Sequence, residues 1–391
     1  MVEIADRAAV GRASVTDAAG LRPLATVSLS QWRALAERAI EPNGYYLPPW
    51  EIAVNAFASG RTGASALLAR SEPDGASRLI GLMPVVSMMR AYRIPLPALV
   101  SAHPYGTLCT PPLDRDLAHE AAKALLQAAR QAGAHALILR DVSLDGAVMK
   151  TLGEALRQEG LHPRVLQSQP RACLDASREP EELLRDALGA KKLKELRRQR
   201  HRLAEHGAVR FEVAGTREQL AAALEVFLKL EASGWKGKRG TALIQDDGDA
   251  AFVRRAAPAL AETGQCEIVT LYAGDTPVAA GIVLRHQDRA FFFKLGIDER
   301  FAKFSPGVQL TLDLTRHLCA DPAIATADST ASADHPMINP IWRGRFTIGV
   351  VLIPLRKNDP VVPLVHAAMM LRGRMRELAR RAIHLIRGSK A

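Results

Sequence analysis

The chain has 391 residues, of which 48% are hydrophobic and 24% are charged, as in an ordinary globular protein. Its length exceeds what one hydrophobic core usually supports, so two domains are expected. No stretch approaches ~18 uncharged apolar residues, so no membrane-spanning helix is predicted. The four cysteines never form C-x-x-C, so neither a disulfide framework nor a metal site is predicted. Residues 1–20 contain early acidic residues and no apolar core, which indicates a flexible leader rather than a signal peptide. A reducing, cytoplasmic location fits these features.

The net charge of +11 is concentrated in two segments. Residues 191–202 hold seven Lys or Arg and one Glu, a net charge of +6, and residues 361–391 also sum to +6. Because the two segments together carry +12, the rest of the chain sums to −1. Basicity confined to two elements argues against a surface built throughout to coat nucleic acid.

The first half of the chain alternates helix-like and strand-like patterns. Apolar residues recur at helical spacing in three segments, 29–40, 116–134 and 146–160. Ser28 or Ser30 is placed to begin the first of these helices. Strands are predicted in four segments, 64–72, 78–89, 135–142 and 164–176. The first two strands are expected to pair across a turn at 73–75.

The second half begins with a long helix over 180–206, which Gly207 is predicted to end. A strand at 208–214 and helices at 217–232 and 248–264 come next, before three strands at 266–274, 276–286 and 289–297. Because short connections join these three strands, an antiparallel meander is expected. A helix at 306–320 and strands at 323–329 and 345–355 complete the order β-α-α-β-β-β-α-β-β. The first half follows a weaker version of this order, which indicates a tandem repeat.

One strand-to-helix passage has the features of an anion site. In FFFKLGIDERFAKFSPGVQL, residues 291–310, a strand runs through a loop into a helix whose first turn contains Ser305, Pro306 and Gly307. Unpaired backbone N–H groups and the positive end of the helix dipole suit such a helix start to a pyrophosphate. Pro306 fits at the first turn, Gly307 permits close approach, and Lys303 could add charge. The alternative is a plain Ser-Pro helix start.

Four stretches carry a resemblance to a known family: ELRRQRHRLAEHGAVRFEV (195–213), LEASGWKGKRGTAL (230–243), GIDERFAKFSPGVQLTLDL (296–314) and DSTASADHPMINPIW (328–342). With the element order, they resemble the GNAT-type acetyltransferases grouped with cellulose-biosynthesis acetyltransferases, relatives of the Fem-type peptidoglycan aminoacyltransferases. The resemblance covers 180–350 well and 20–175 mainly through the general pattern. It implies an α/β fold with mixed sheets and tandem GNAT-like modules at 21–178 and 179–358, the second carrying an acyl-CoA site.

The resemblance also implies the donor and its binding residues. The donor would be acetyl-CoA or another acyl-CoA, without a metal, and the strand edge would hold its carbonyl and pantetheine arm. The residues implied in donor binding are Leu295, Gly296, Lys303, Phe304, Ser305, Gly307 and Val308. In a GNAT site the acceptor amine attacks the thioester directly. An alkylamine with a pKa near ~10.4 is mostly protonated at neutral pH, so a base is needed.

The stretch LEASGWKGKRGTAL offers Glu231 as the first candidate for that base, where a helix breaks into a loop bounded by glycines. The alternative is a surface carboxylate that ends a helix. Trp235 is interpreted either as an apolar wall for the acceptor or as an aromatic that pins the loop to the core. Lys236 and Arg239 could bind a carboxylate or phosphate, although solvated charges are common in loops.

A second polar cluster follows the predicted strand at 323–329. Asp328 closes that strand at the end where ligands bind in such sheets, which makes it a candidate substrate-binding residue. Asp334 and His335 follow, and an Asp-His pair can tune an imidazole for proton transfer. The alternative is a turn in which Asp334 starts a short helix. Many GNAT enzymes use a tyrosine as general acid here, yet no tyrosine follows Tyr272 in this chain. His335 or a water would then protonate the thiolate, or the thiolate would leave without a dedicated acid.

Two further features are interpreted structurally. In SAHPYGTLC, residues 101–109, no charged neighbour activates the thiol, so His103 and Cys109 are predicted to be packed rather than to form a nucleophile.

Residues 359–391 are predicted to form a basic amphipathic helix, with Leu371, Met375, Leu378, Ala382 and Leu385 at helical spacing. Such a helix could lie on an anionic membrane surface, making the protein membrane-peripheral, or dock on its own protein.

These features predict a cytosolic acyltransferase that uses an acyl-CoA, with acetyl-CoA as first candidate, and a small polar or sugar-like acceptor. Two alternatives stay open. A Fem-like transferase would take its acyl group from aminoacyl-tRNA and bind it through residues 191–202, although no aromatic residues interleave there to stack bases. A non-catalytic GNAT-fold module of a polysaccharide-synthesis complex would keep the fold without turnover. The sequence makes no prediction of oligomeric state.

Overall fold

The computed structural model describes residues 21–71 and 78–388. The predicted leader at 1–20 and the predicted turn at 73–75 lie outside the described residues. So do the side chains of Ala382 and Leu385. Within the described part of the chain, no helix is both long enough and apolar enough to cross a membrane.

The first half contains the predicted strands and helices together with four elements that were not predicted, the helices α2 and α3 and the short strands β1 and β4. Its elements are β1 (Leu21–Pro23), α1 (Leu29–Glu37), α2 (Pro48–Phe57), β2 (Ser65–Arg70), β3 (Leu79–Ser87), α3 (Met88–Tyr92), β4 (Ala98–Ser101), α4 (Ala118–Gln131), β5 (Ala136–Ser143), α5 (Ala147–Gln158) and β6 (Arg164–Asp175). Ser28 begins α1, because its side chain accepts a hydrogen bond from the Gln31 N–H group. The strand predicted to reach residue 89 stops at Ser87, whose side chain caps α3 in the same way.

The second half follows the predicted order. Its elements are α6 (Pro180–Leu203), β7 (Val209–Ala214), α7 (Arg217–Ser233), α8 (Trp235–Lys238), α9 (Asp247–Ala261), β8 (Cys266–Ala273), β9 (Thr276–His286), β10 (Arg289–Ile297), α10 (Pro306–Cys319), β11 (Thr326–Asp328), β12 (Gly344–Pro354) and α11 (Val361–Gly388). The helix predicted to end at residue 232 ends at Ser233, and the loop predicted after it contains the short helix α8. Gly237 permits α8 to fold back on α7, because an added Cβ would collide with the Ala232 carbonyl oxygen.

All strands of the described residues belong to one mixed sheet, in the order β1-β2-β3-β4-β5-β12-β6-β11-β10-β9-β8-β7. The predicted antiparallel meander of β8, β9 and β10 is confirmed. Strand β12 lies between β5 and β6 and pairs antiparallel with both. Because β6 also pairs with β11, one sheet runs through both halves. The α/β class with mixed sheets is confirmed, whereas the division into modules at 178/179 stays a prediction.

Helices cover both faces of this sheet, and side-chain alternation along β12 shows which share a face. Ile348 packs in the apolar cluster that contains α2, α7 and α9. Val350 and Leu352, two and four residues further on, pack against α11. Val351 and Ile353 point to the other face, where they pack with α4 and α5. Helix α11 therefore lies on the same face as α7 and α9, while α6 and α10 cover the opposite face of the second half.

His286 on β9 joins the two halves of the chain. Its Nδ1 accepts the Asn43 N–H at 2.8 Å, and its Nε2–H donates to the Ala36 carbonyl oxygen at 2.9 Å. Burial lowers the pKa of His286 to about 4, since the charged imidazolium would lose its hydration there. The folded ring is therefore neutral at pH 7, with both of its nitrogens bonded.

The free energy of unfolding should consequently fall as the pH drops from about 6.5 to about 4. In this window the unfolded imidazole binds a proton that the folded ring does not, so protonation favours unfolding. The total loss of unfolding free energy is on the order of 3 kcal/mol, and it is reached below about pH 4. Urea unfolding at stepped pH measures this, and His286→Gln should reduce the slope, leaving the part due to His103, whose pKa burial also lowers, to about 3. His317→Gln is the control, and in this variant the slope should persist. The hydrogen bond to Glu267 raises the pKa of His317, so the contribution of His317 to the free energy of unfolding is fully present below about pH 6.5 and is lost only above it. Equal slopes in wild type and His286→Gln would contradict the prediction.

Candidate active site

Strands β10 and β11 run side by side only briefly and then diverge. They pair in parallel through Arg289–Phe291 and Thr326–Asp328, whereas β10 continues to Ile297 with its pairing to β9. The Thr330 hydroxyl donates to the Phe292 carbonyl oxygen at 2.6 Å, just past the last parallel pair. Beyond this point the outer edge of β10 faces a cleft rather than another strand of the described chain.

The start of α10 opens onto the same cleft. Ser305 precedes Pro306 with a left-handed φ of 54°, and its side chain makes no capping bond. The backbone N–H groups of Gly307 and Val308 therefore lie in an uncapped first turn, where anions bind. An added Cβ at Gly307 would lie 3.0 Å from Leu295 Cδ2, so any larger residue here has to press on the side chains that line the cleft. The predicted helix start is confirmed.

The cleft between β10, α10 and the loop after β11 has a volume of about 490 Å³. Its lining includes four of the residues predicted to bind the donor: Leu295, Ser305, Gly307 and Val308. Lys303 and Phe304 instead line a neighbouring pocket of about 250 Å³, together with His206 and Arg300. Gly296 is turned toward α7, since an added Cβ would lie 2.7 Å from the Glu231 nitrogen.

Glu231, the predicted base, lies near the end of α7 with a fully buried side chain. Its Oε1 is 3.0 Å from Lys294 Nζ, and its Oε2 accepts the Leu243 N–H at 2.9 Å. Lys294, on β10, lines the cleft. Glu231 thus contacts the side chain of a residue that lines the cleft but does not itself line it, and its role as the base stays a prediction.

His335 lines the cleft, while the neighbouring Asp334 is exposed. The His335 Nδ1 accepts the backbone N–H groups of Met337 and Ile338 at 3.3 and 3.4 Å. A ring nitrogen that accepts hydrogen bonds carries no hydrogen, so the neutral ring holds its hydrogen on Nε2. His335 thus lines the cleft, and the predicted catalytic role of both residues stays a prediction.

Asp328 lies beneath the cleft and is bound inside the protein. Its Oδ2 is 3.3 Å from Arg171 Nη1, and both side chains are only 1% exposed. Its Oδ1 accepts the Thr330 N–H at 2.7 Å. Asp328 thus holds Thr330, which does line the cleft, and its predicted contact with the acceptor stays a prediction.

The other predicted substrate-binding residues lie in or beside α8. The backbone of Trp235 and Lys236 belongs to α8, but their side chains lie outside the described residues. Arg239 follows α8 and is exposed. The structure therefore leaves the predicted acceptor contacts of all three residues as predictions.

His103 and Cys109 are held in their neutral forms. Burial lowers the pKa of His103 to about 3 and raises the pKa of Cys109 to about 12. A nucleophilic pair would need a thiolate and an imidazolium, and burial disfavours both charged forms. This environment agrees with the packed structural role predicted from the sequence.

Two residues that the sequence pattern did not single out complete the site. Tyr105, from the first half, has its ring centre 5.7 Å from Lys294 Nζ and 4.7 Å from the ring of Phe252 on α9. Its hydroxyl donates to Asp249, and burial together with that bond raises the pKa of Tyr105 above its ordinary value. A lysine inside the apolar strand FFFKLGI was a signal that could have identified Lys294. No local pattern connects Tyr105 with that strand.

Residues 190–335 match the family model described as an acetyltransferase (GNAT) domain. This segment is similar to a GNAT acetyltransferase domain. It contains the diverging strands, the start of α10 and the loop through His335, so most of the residues that line the cleft lie in the matched segment, with Met337 and Ile338 just beyond it. The predicted enzyme class, a transferase, is confirmed.

Solved structures share the fold over most of the chain. FemX is 14% identical with a TM-score of 0.57, covering 87% of this chain and 98% of FemX. The C-terminal domain of a putative lysylphosphatidylglycerol synthetase from Agrobacterium fabrum is 12% identical with a TM-score of 0.52, covering 88% of this chain and 95% of that chain. A conserved protein of unknown function from Bacteroides thetaiotaomicron is 9% identical with a TM-score of 0.53, covering 84% and 98%. At these identities the likeness concerns the fold alone. The comparison with curated proteins gives no match.

Proposed function

We propose that the chain transfers an acyl group, with acetyl as first candidate, from an acyl-CoA to an amine or hydroxyl of a small polar or sugar-like acceptor. The observation that carries this proposal is the meeting of the diverging edge of β10 and the uncapped start of α10 at one cleft in the segment that is similar to a GNAT domain. The cytosolic location and the relation to cellulose-biosynthesis acetyltransferases expected from the sequence belong to the same proposal.

The chemistry of the donor suits the residues around the cleft. The pyrophosphate is an anion, and the N–H groups of Gly307 and Val308 could receive it. The pantetheine arm is an extended chain with two amides, which could lie along β10 and exchange hydrogen bonds with its edge. Leu295 and Met337 supply apolar walls, and a volume of about 490 Å³ is ordinary for a small-ligand site.

In the proposed reaction the acceptor nitrogen or oxygen attacks the thioester carbonyl carbon. A bond forms between these two atoms, the carbon–sulfur bond breaks, the acceptor loses a proton and the thiolate gains one. We place Lys294 at the carbonyl oxygen, where its ammonium, held by Glu231, would stabilise the developing negative charge. Lys294 would pass one of its protons to Glu231 as it takes the acceptor's proton, and so would remain an ammonium. The Nε2–H of His335 would hydrogen-bond the departing thiolate, which takes its proton from solvent.

Replacing Lys294 with methionine should lower kcat for acetyl transfer by about 10- to 100-fold, because a charge-assisted hydrogen bond contributes roughly 1.5–3 kcal/mol. The KM for acetyl-CoA should stay near its wild-type value, since the pyrophosphate site is elsewhere in the cleft. Thiol release from acetyl-CoA, followed with a panel of amine and sugar acceptors, measures both constants.

Lys238→Met is the matched control for this prediction. Lys238 also pairs with a glutamate, its Nζ lying 2.6 Å from Glu299 Oε2, but it is exposed and does not line the cleft. Its replacement should leave kcat unchanged. Wild-type kcat in Lys294→Met would exclude Lys294 from the reaction. Loss of turnover in Glu231→Gln, with the donor KM unchanged, is expected if Glu231 orients Lys294 or receives the proton.

One observation favours the aminoacyl-tRNA alternative. Exposed cations on α6 form a basic surface beside α10: Lys191, Lys194, Arg197, Arg198 and Arg202. Helix α6 is attached to α10 by the hydrogen bond from Gln309 Nε2 to the Leu196 carbonyl oxygen at 2.8 Å.

Titration of acetyl-CoA, and separately of bulk tRNA at stepped salt, decides between the two donors. We expect heat from acetyl-CoA and no competition by tRNA. Salt-sensitive tRNA binding that CoA does not displace would favour the alternative, and no binding of either would favour a non-catalytic module.

A further inference from the structure

Helix α11 carries an apolar stripe that is exposed to solvent. Its inner residues Val362 and Val365 are buried against the cluster formed by β4, β5 and β12. Four other apolar residues are largely exposed: Leu364 at 58%, Leu371 at 63%, Met375 at 60% and Leu378 at 59%. At 3.6 residues per turn these four fall within an arc of about 60°, well separated from the inner residues. We call this set the outer stripe.

Arginines flank the outer stripe on both sides. In helical projection Arg372 and Arg374 lie about 80° from its centre, on opposite sides, and Arg376 lies beyond Arg372. Arg374 and Arg376 are exposed, while the Arg372 guanidinium lies 4.5 Å from the ring centre of Tyr92. Residues 361–391 carry a net charge of +6. A helix with an apolar stripe between rows of cations is the pattern of helices that lie in a membrane interface.

The attachment of α11 to the protein leaves its distal part accessible. Buried and half-buried positions occur from Val361 to Arg372, and every residue from 373 to 379 is exposed. The 28 residues of α11 span ~42 Å, so the helix reaches well past its docked first part. The inner residues hold the helix to the sheet while the outer stripe remains free to contact another surface.

We propose that α11 docks the protein on an anionic lipid surface. Leu371, Met375 and Leu378 enter the boundary of the acyl chains, and Arg374 contacts lipid phosphates with its aliphatic stem lying along the apolar surface. Arg376 lies further round the helix and adds to the attraction of the anionic surface. Charge selects this occupant over a second copy of the chain, because two copies would bring two segments of +6 together, whereas anionic lipid attracts each arginine. The proposal stands on the surface of α11 and does not depend on the activity of the cleft.

Co-sedimentation of the full chain with vesicles tests the proposal. Vesicles of phosphatidylcholine with a quarter phosphatidylglycerol should bind the protein, and vesicles of phosphatidylcholine alone should not. The variant L371Q/M375Q/L378Q removes the apolar part and R374Q/R376Q removes two charges. Each should weaken binding by about tenfold or more. The matched control, K191Q/K194Q, removes two exposed charges from α6 and should bind as wild type does. All substituted positions are exposed, and unchanged unfolding midpoints would confirm that the variants fold.

Three results would overturn the proposal. The wild type could stay in the supernatant with anionic vesicles, or bind neutral vesicles equally well. The α6 control could lose binding as strongly as the α11 variants, which would assign the lipid contact to α6 or to net charge. Light scattering could show a dimer that L371Q/M375Q/L378Q converts to a monomer without any vesicle binding, which would assign the outer stripe to a second copy.

Discussion

Gly307→Trp is expected to abolish binding of acetyl-CoA and CoA, with an affinity at least about 1000-fold weaker, or ~4 kcal/mol. An added Cβ at this position would already lie 3.0 Å from Leu295 Cδ2 and 3.2 Å from Met337 Sδ. The indole therefore has to occupy the cleft in front of the first turn of α10, where the pyrophosphate would meet the backbone N–H groups. Isothermal titration of both ligands into wild type and variant measures the loss.

Gly215→Trp is the matched control for this prediction. Gly215 is exposed, and an added Cβ there meets nothing within 4 Å. Its replacement should leave ligand binding unchanged, and Gly307→Ala should give an intermediate loss. Normal binding by Gly307→Trp would show that the donor does not lie at α10, while absence of binding by wild type would remove the acyl-CoA function itself.

Asp328→Ala is expected to lower the free energy of unfolding by roughly 3–5 kcal/mol, because it leaves a buried charge without its partner. Arg171 is 1% exposed, and its Nε already lacks a hydrogen-bond partner within the described residues. Removing the carboxylate also takes the acceptor away from the Thr330 N–H at the edge of the cleft. Urea unfolding at pH 7 measures the change.

Two comparisons make the Asp328 result specific. Glu225→Ala removes one partner of an exposed pair with Arg254, and should change the free energy of unfolding by no more than about 1 kcal/mol. The double variant Arg171→Leu/Asp328→Ala should recover most of the loss, since no buried charge remains. If Asp328→Ala instead kept full stability and raised the KM for the acceptor, the residue would be a substrate contact, as the sequence pattern suggested.

The sequence by itself determined the features that depend on neighbouring residues. The start of α10 could be located from Pro306 and Gly307, because a helix terminus is defined within one turn. The meander from β8 to β10 followed from alternating strands and short connections, which leave antiparallel pairing as the simple outcome. Ser28, one of two candidate serines, begins the predicted first helix for the same local reason. These elements place the donor side of the candidate site.

Only the tertiary structure decided which polar groups meet. Glu231 pairs with Lys294, 63 positions away, and Asp328 with Arg171, 157 positions away. Tyr105 reaches Asp249 across 144 positions, and β12 enters the sheet between β5 and β6. Burial and charge pairing depend on contacts between segments that no helical or strand period relates. The sequence therefore identified the polar residues on the acceptor side of the cleft. The packing of one half of the chain against the other decided whether each of them faces the cleft or lies beneath it.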